Sequence, residues 1–265
     1  MVVQNVRCTL QSDESETENN ILLSLLVLSY LLFSYYALGG WWNSFVGTLL
    51  ILFFSYLIWK KDFLKVSGLQ INPVIAVKSI LLAGVIPVVA FLLMSYLGAK
   101  HDVKISTGNW QNYFHTVFYV LNEEIVVGAI LLFVMIRKWK LSPLFASVLL
   151  AVFFALFHLV FYKWIFLDKE NLGWMTLSTL FLVGFVRNSL ILQTGHIGYS
   201  WALHFGWMAL MFGSRHLDTI SDSPLSEHGR FNLYLGSFEM LFIALLMSGL
   251  ILIMWKKRGP VIWKS

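Results

Sequence analysis

Two adjacent carboxylates, Glu123 and Glu124, follow Asn122 in the middle of the apolar run from Tyr113 to Ile136. A lipid-spanning helix tolerates charge least at that depth. One ionised side chain at the bilayer centre costs roughly 2.5 to 3.5 kcal/mol on insertion scales, so a pair demands partners from neighbouring helices or internal water. The rest of the chain is constrained to supply them.

Similar apolar runs of about 20 residues recur along the sequence, each long enough to cross a bilayer. Only 12% of the 265 residues are charged against 58% hydrophobic, and mean hydropathy is +0.74. A soluble domain carries about one quarter charged residues, so this composition describes an integral membrane protein. The runs predict an all-α polytopic bundle of eight transmembrane helices, at 21–38, 43–59, 74–98, 112–136, 142–166, 172–193, 197–214 and 232–255. Sustained alternation, the signature of membrane strands, is absent.

Residues 1–20 carry Asp13, Glu14, Glu16 and Glu18 and read as an acidic, disordered leader. Residues 21–265 read as one transmembrane domain. Between the second and third spans, Lys60 to Pro73 reads as a short interfacial segment. The basic residues do not form a nucleic-acid-binding face, and no nucleic-acid partner is expected. Lys60, Lys61, Lys65, Arg137, Lys138, Lys140, Lys256, Lys257 and Arg258 gather at one set of span ends. By the positive-inside rule that side, with both termini, is cytoplasmic.

The single cysteine, Cys8, lies in the leader and excludes a disulfide framework or a cysteine-based metal cluster. His158 falls about four residues past the centre of its span, roughly 6 Å along the axis, and His204 falls near the centre of its own. Arg187 comes to a depth comparable with Glu124, which predicts an ion pair between them. Adjacent helical residues diverge by 100°, so one glutamate should face water and the other a supporting partner. A carboxylate beside imidazoles in a wet pocket is a general-base arrangement. The plainer reading of each residue is a packing network, with Arg187 as a structural counter-ion. For the glutamate pair, the membrane setting favours function.

Glu123-Glu124, then Phe154-Ala-Leu-Phe-His158, then Thr194-Gly195 with His204 nine residues after the glycine, resemble the three motifs of the CAAX prenyl endopeptidase and bacteriocin-processing family of intramembrane proteases, also called Abi proteins. The resemblance covers about 112–214, the motif-bearing core. It implies that Glu123 activates water with His158, that His204 stabilises the oxyanion, that Glu124 assists and that Phe154 packs one turn before His158. The motif arginine falls on Gly128 and the polar residue of the third motif on Met208. Arg187 is expected to replace the first, and Asn188 or Asn122 the second.

The implied activity is hydrolysis of a peptide bond in a membrane-associated or lipidated protein or peptide, in a bacterial or archaeal cell membrane. No cofactor is required. Zinc remains an alternative chemistry, with Glu123, His158 and His204 as ligands, although no His-Glu-x-x-His motif is present. A catalytically inactive scaffold, chaperone or immunity protein, holding a membrane-protein partner in the same pocket, is the alternative function. A proton-coupled transporter is the third, without an internal repeat to support it. Membrane lipids are partners on any of these readings.

Overall fold

A computed structural model describes residues 19–34, 40–100, 110–161, 167–168, 171–213 and 235–258. Most of the predicted leader and the segment 214–234 lie outside these residues. The helices are α1 (Asn19–Ser34), α2 (Asn43–Trp59), α3 (Phe63–Val66), α4 (Pro73–Ala99), α5 (Trp110–Glu123), α6 (Leu131–Arg137), α7 (Pro143–Phe161), α8 (Trp174–Thr194), α9 (Gly198–Gly213) and α10 (Phe238–Arg258). A π-helical stretch, Glu124–Ile130, joins α5 to α6 in one continuous span. One two-residue antiparallel ladder pairs Leu167 with Leu172 and Asp168 with Asn171. The remaining architecture is helical.

Among the described residues, 6 helices are long and apolar enough to cross a membrane. They coincide with the predicted spans at 43–59, 74–98, 112–136, 142–166, 172–193 and 232–255. The predictions at 21–38 and 197–214 correspond to α1 and to the 16-residue α9, both shorter. The expected interfacial segment becomes a 3-10 turn, Lys60–Asp62, followed by α3. Pro73 does not stop this segment. It opens α4 at the first helical turn, where its missing N–H costs nothing, and the Asn72 side chain caps the helix by accepting from the Ile75 N–H at 3.2 Å.

The span carrying the two glutamates is the axis of the bundle. Of its most apolar stretch 67% is buried, against 17% for α4. Ile125, Val127, Ala129 and Ile130 pack into one core with Leu26 and Tyr30 of α1, Ile51 of α2, Leu150 of α7 and Ile191 of α8. Helix α4 instead turns Ile80, Leu81, Val85, Val88 and Leu92 outward. In a polytopic chain that exposed apolar surface is the lipid-facing side.

The α8–α9 hairpin fixes the level of two site residues. Helix α8 ends at Gly195, in the left-handed region at φ 69°, whose N–H bonds back to Ile191 O. Glycine enters that conformation without a Cβ clash. Thr194 Oγ1 donates to His196 O, and Ile197 N donates to Gly68 O at 2.9 Å, tying the turn to the end of α3. Arg187 and His204 lie eight and nine residues from Gly195 on opposite arms, so the hairpin sets them at one depth.

Helix α4 crosses α9 closely because Gly206 has no side chain. A Cβ there would lie 2.5 Å from Ile86 Cγ2 and 2.6 Å from Ile86 Cβ, beside the intrahelical Pro87. Gly206→Val is expected to destabilise the bundle by about 1 to 3 kcal/mol through overpacking, read as a lowered thermal unfolding midpoint in detergent. A midpoint equal to that of the parent would show that the crossing can open without cost.

Candidate active site

The four sequence-predicted catalytic residues converge from three parts of the bundle. Glu123 and Glu124 come from the α5–π junction, His158 from α7 and His204 from α9, and all are buried. Arg187 of α8 lies between the carboxylates, with Nη1 3.5 Å from Glu123 Oε1 and 3.5 Å from Glu124 Oε1. The expected ion pair with Glu124 is present, but Arg187 also pairs with Glu123. The two glutamates leave the bundle axis at the junction of α5 and the π-helical stretch, and both side chains reach one guanidinium.

The carboxylates nevertheless have different surroundings. Glu124 accepts from His204 Nδ1 at 2.9 Å on Oε1, and from the Ser200 hydroxyl on Oε2. Neither oxygen of Glu123 has a hydrogen-bond partner among the described residues. Glu124 is thereby fixed, and Glu123 keeps its lone pairs for another group.

The histidines are oriented just as specifically. His158 Nδ1 donates to the Phe154 carbonyl at 2.8 Å, since a carbonyl can only accept. In the neutral ring Nε2 then carries the lone pair. The charges of Glu123, His204 and Arg187 all act on His158, so the groups form one electrostatic unit.

Phe154 is their common floor. Its ring centroid lies 4.4 Å from that of His158 and 6.0 Å from that of His204, and the Arg187 guanidinium carbon stands 4.2 Å from it in cation–π contact. Gly184 makes room for this ring, because a Cβ there would lie 3.0 Å from Phe154 Cδ1.

One departure from the motif pattern, Gly128, has a steric and topological account. A Cβ at position 128 would meet Ile191 Cδ1 at 2.8 Å and Glu124 Oε2 at 3.3 Å, so a longer side chain there would require Ile191 to move. The cation arrives from α8 instead. Asn188 holds it in place, accepting from Arg187 Nη2 at 3.4 Å and donating to Ser147 O at 3.1 Å. Asn188 therefore does not replace the amide of the third motif.

Asn122 does not replace it either. Its amide donates to Ser44 O and Ser34 Oγ and accepts from Thr48 Oγ1, fastening α5 to α1 and α2. Sequence reasoning missed Ser200, although it lies four residues before His204 on one helical face. His115 contacts Ser44 Oγ at 3.1 Å and stacks on Tyr119.

A cavity of about 250 Å³ abuts the cluster. His158, Arg187, Ser200 and His204 form its polar wall, with the carboxylates behind them. The rest is largely apolar, including Val89 and Leu93 of α4, Leu180 of α8, Met208 of α9 and Met240 and Met247 of α10. Outside this cavity's lining, Lys100 joins Glu239 at 2.6 Å, linking α4 to α10. This contact holds the lysine pKa above its ordinary range. Among the described residues no three His, Cys, Asp or Glu side chains gather into a metal-holding group. Arg187 occupies the position between the carboxylates, and the arrangement does not fit the zinc set of Glu123, His158 and His204.

Residues 106–210 match the Rce1-like family, described as type II CAAX prenyl endopeptidase Rce1-like. The match includes every residue of the cluster and agrees with the family that the motifs resembled. It is a protease family, and its match here falls on an apolar helical bundle with membrane-spanning helices. No curated protein matches the chain. No solved structure matches it either.

Removing the cation should expose its structural share. Arg187→Gln leaves two buried carboxylates facing each other and is expected to cost about 3 to 5 kcal/mol of stability. Adding Glu123→Gln in that background should restore part of the loss. Thermal unfolding of the single and double variants tests the coupling, and strictly additive destabilisation would disprove it.

Proposed function

We propose that this protein is an intramembrane endopeptidase in which Glu123 is the general base for a water molecule that hydrolyses a peptide bond. The observation that carries the reading is the asymmetry of the dyad. Glu124 is held by Ser200, His204 and Arg187, while Glu123 has two buried oxygens without hydrogen-bond partners beside His158 and Arg187.

In this reading, water enters between Glu123 and His158. Its proton passes to Glu123 while His158 Nε2 accepts a hydrogen bond and aims the oxygen. The water oxygen adds to the scissile carbonyl carbon, and the carbonyl π electrons move onto oxygen. His204 faces that developing oxyanion. Its Nδ1–H is directed at Glu124, so donation from Nε2 requires the doubly protonated ring. Glu123 then passes its proton to the leaving nitrogen, the C–N bond breaks, and an acid and an amine are released.

The substrate is proposed to be the C-terminal region of a membrane-associated protein, with a prenylated CAAX-type peptide as the first candidate from the matched family's name. The cavity chemistry supports a lipophilic group, since its wall opposite the polar cluster is apolar. An extended peptide is required, because a helix hides its carbonyls in backbone hydrogen bonds. The basic ends of the spans are proposed to face the cytoplasm. A scaffold or immunity role would use the same cavity without needing a buried carboxylate that lacks hydrogen-bond partners.

Purified protein in proteoliposomes, given prenylated and unmodified C-terminal peptides, should cleave one class. Glu123→Gln should lower kcat by about 10²- to 10⁴-fold, the usual worth of a positioned general base, with insertion and peptide binding retained. Cleavage by that variant at the parent rate would sink the assignment. Binding of peptide without cleavage by either protein would favour the scaffold.

A further inference from the structure

The position where the third motif carries its polar residue is Met208, and a thioether has no proton to give. Asn122 and Asn188 are both committed elsewhere. An oxyanion beside His204 therefore receives no side-chain hydrogen bond from position 208. The residue next to Met208 supplies the missing chemistry.

Trp207 lies three positions after His204 on α9, on the same helical face and on the side of His204 that carries Ser200. It lines the cavity together with Ser200, His204 and Met208, and it is the one tryptophan among the described residues that does so. Its indole Nε1 is buried without a hydrogen-bond partner among the described residues. An indole nitrogen can only donate, and buried donors of this kind are rarely left unmatched. The unmatched donor stands within one helical turn of the histidine already assigned to the oxyanion.

We propose that Trp207 Nε1–H is the second oxyanion donor, taking in this chain the place of the motif's polar side chain at 208. It acts on the carbonyl oxygen that accepts the π electrons when water adds, and donates a hydrogen bond without transferring its proton. The inference rests on the endopeptidase reading above, and its contribution should grow as charge develops on that oxygen. Substrate binding needs it little; turnover needs it much.

Trp207→Phe keeps an aromatic ring and removes the N–H. With a cleaved C-terminal peptide it is expected to lower kcat by about 10²- to 10³-fold, the range for losing one oxyanion donor, with KM changed less than about threefold. Trp207→Phe/Met208→Asn should recover a substantial part of kcat, which a purely packing role for the indole would not allow. An independent measurement uses the parent protein labelled with 15N-tryptophan and a phosphinate peptide analogue of the tetrahedral intermediate. One indole N–H resonance should move downfield on binding.

Unchanged kcat in Trp207→Phe, or no shifted indole resonance with bound analogue, would overturn the proposal. So would a loss of kcat that asparagine at 208 fails to relieve. If Glu123→Gln abolishes cleavage while Trp207→Phe does not, only the donor assignment fails. If Glu123→Gln cleaves normally, the endopeptidase mechanism fails first.

Discussion

The structure depends on the placement of one guanidinium between two carboxylates in an interior that solvates none of them. Arg187, Glu123 and Glu124 are all at most 1% exposed. Ion pairs desolvated to this degree barely repay their burial even with good geometry, and an unmatched member is strongly destabilising. The surrounding contacts follow from that constraint. Asn188 holds the guanidinium, Phe154 lies under it, and Ser200 and His204 occupy the remaining positions on Glu124. Spreading these partners over α7, α8 and α9 makes the polar cluster a common joint of the bundle.

The same joint divides labour between two chemically identical side chains. Chain order alone makes Glu123 and Glu124 equivalent. Their difference is produced by α9, which presents a hydroxyl and an imidazole one turn apart to the second glutamate and leaves the first without either. Inequality between neighbouring carboxylates is what a division between acid–base work and support requires. The proposed base is the carboxylate without hydrogen-bond partners, and the other is held in place.

Much of this was legible because membrane spans turn residue number into depth. The apolar runs located six spans closely, and counting inward from their ends brought Glu123, Glu124, His158, Arg187 and His204 to one level. Depth is a one-dimensional coordinate, however, and rotation about each helix axis was not readable. Ser200 was missed although its four-residue spacing from His204 was available, and Asn122 was offered to the wrong side of its helix. The π-helical stretch Glu124–Ile130, whose residues are all buried, was not anticipated either, and no local residue pattern announced it.

Gly128 has a consequence for biogenesis. An arginine at this position would share a helix with the acidic pair and enter the membrane with it. Here the compensating charge comes from α8, later in the chain. The acidic span is therefore made before its counter-charge, and the pairing closes only once α8 has joined the bundle.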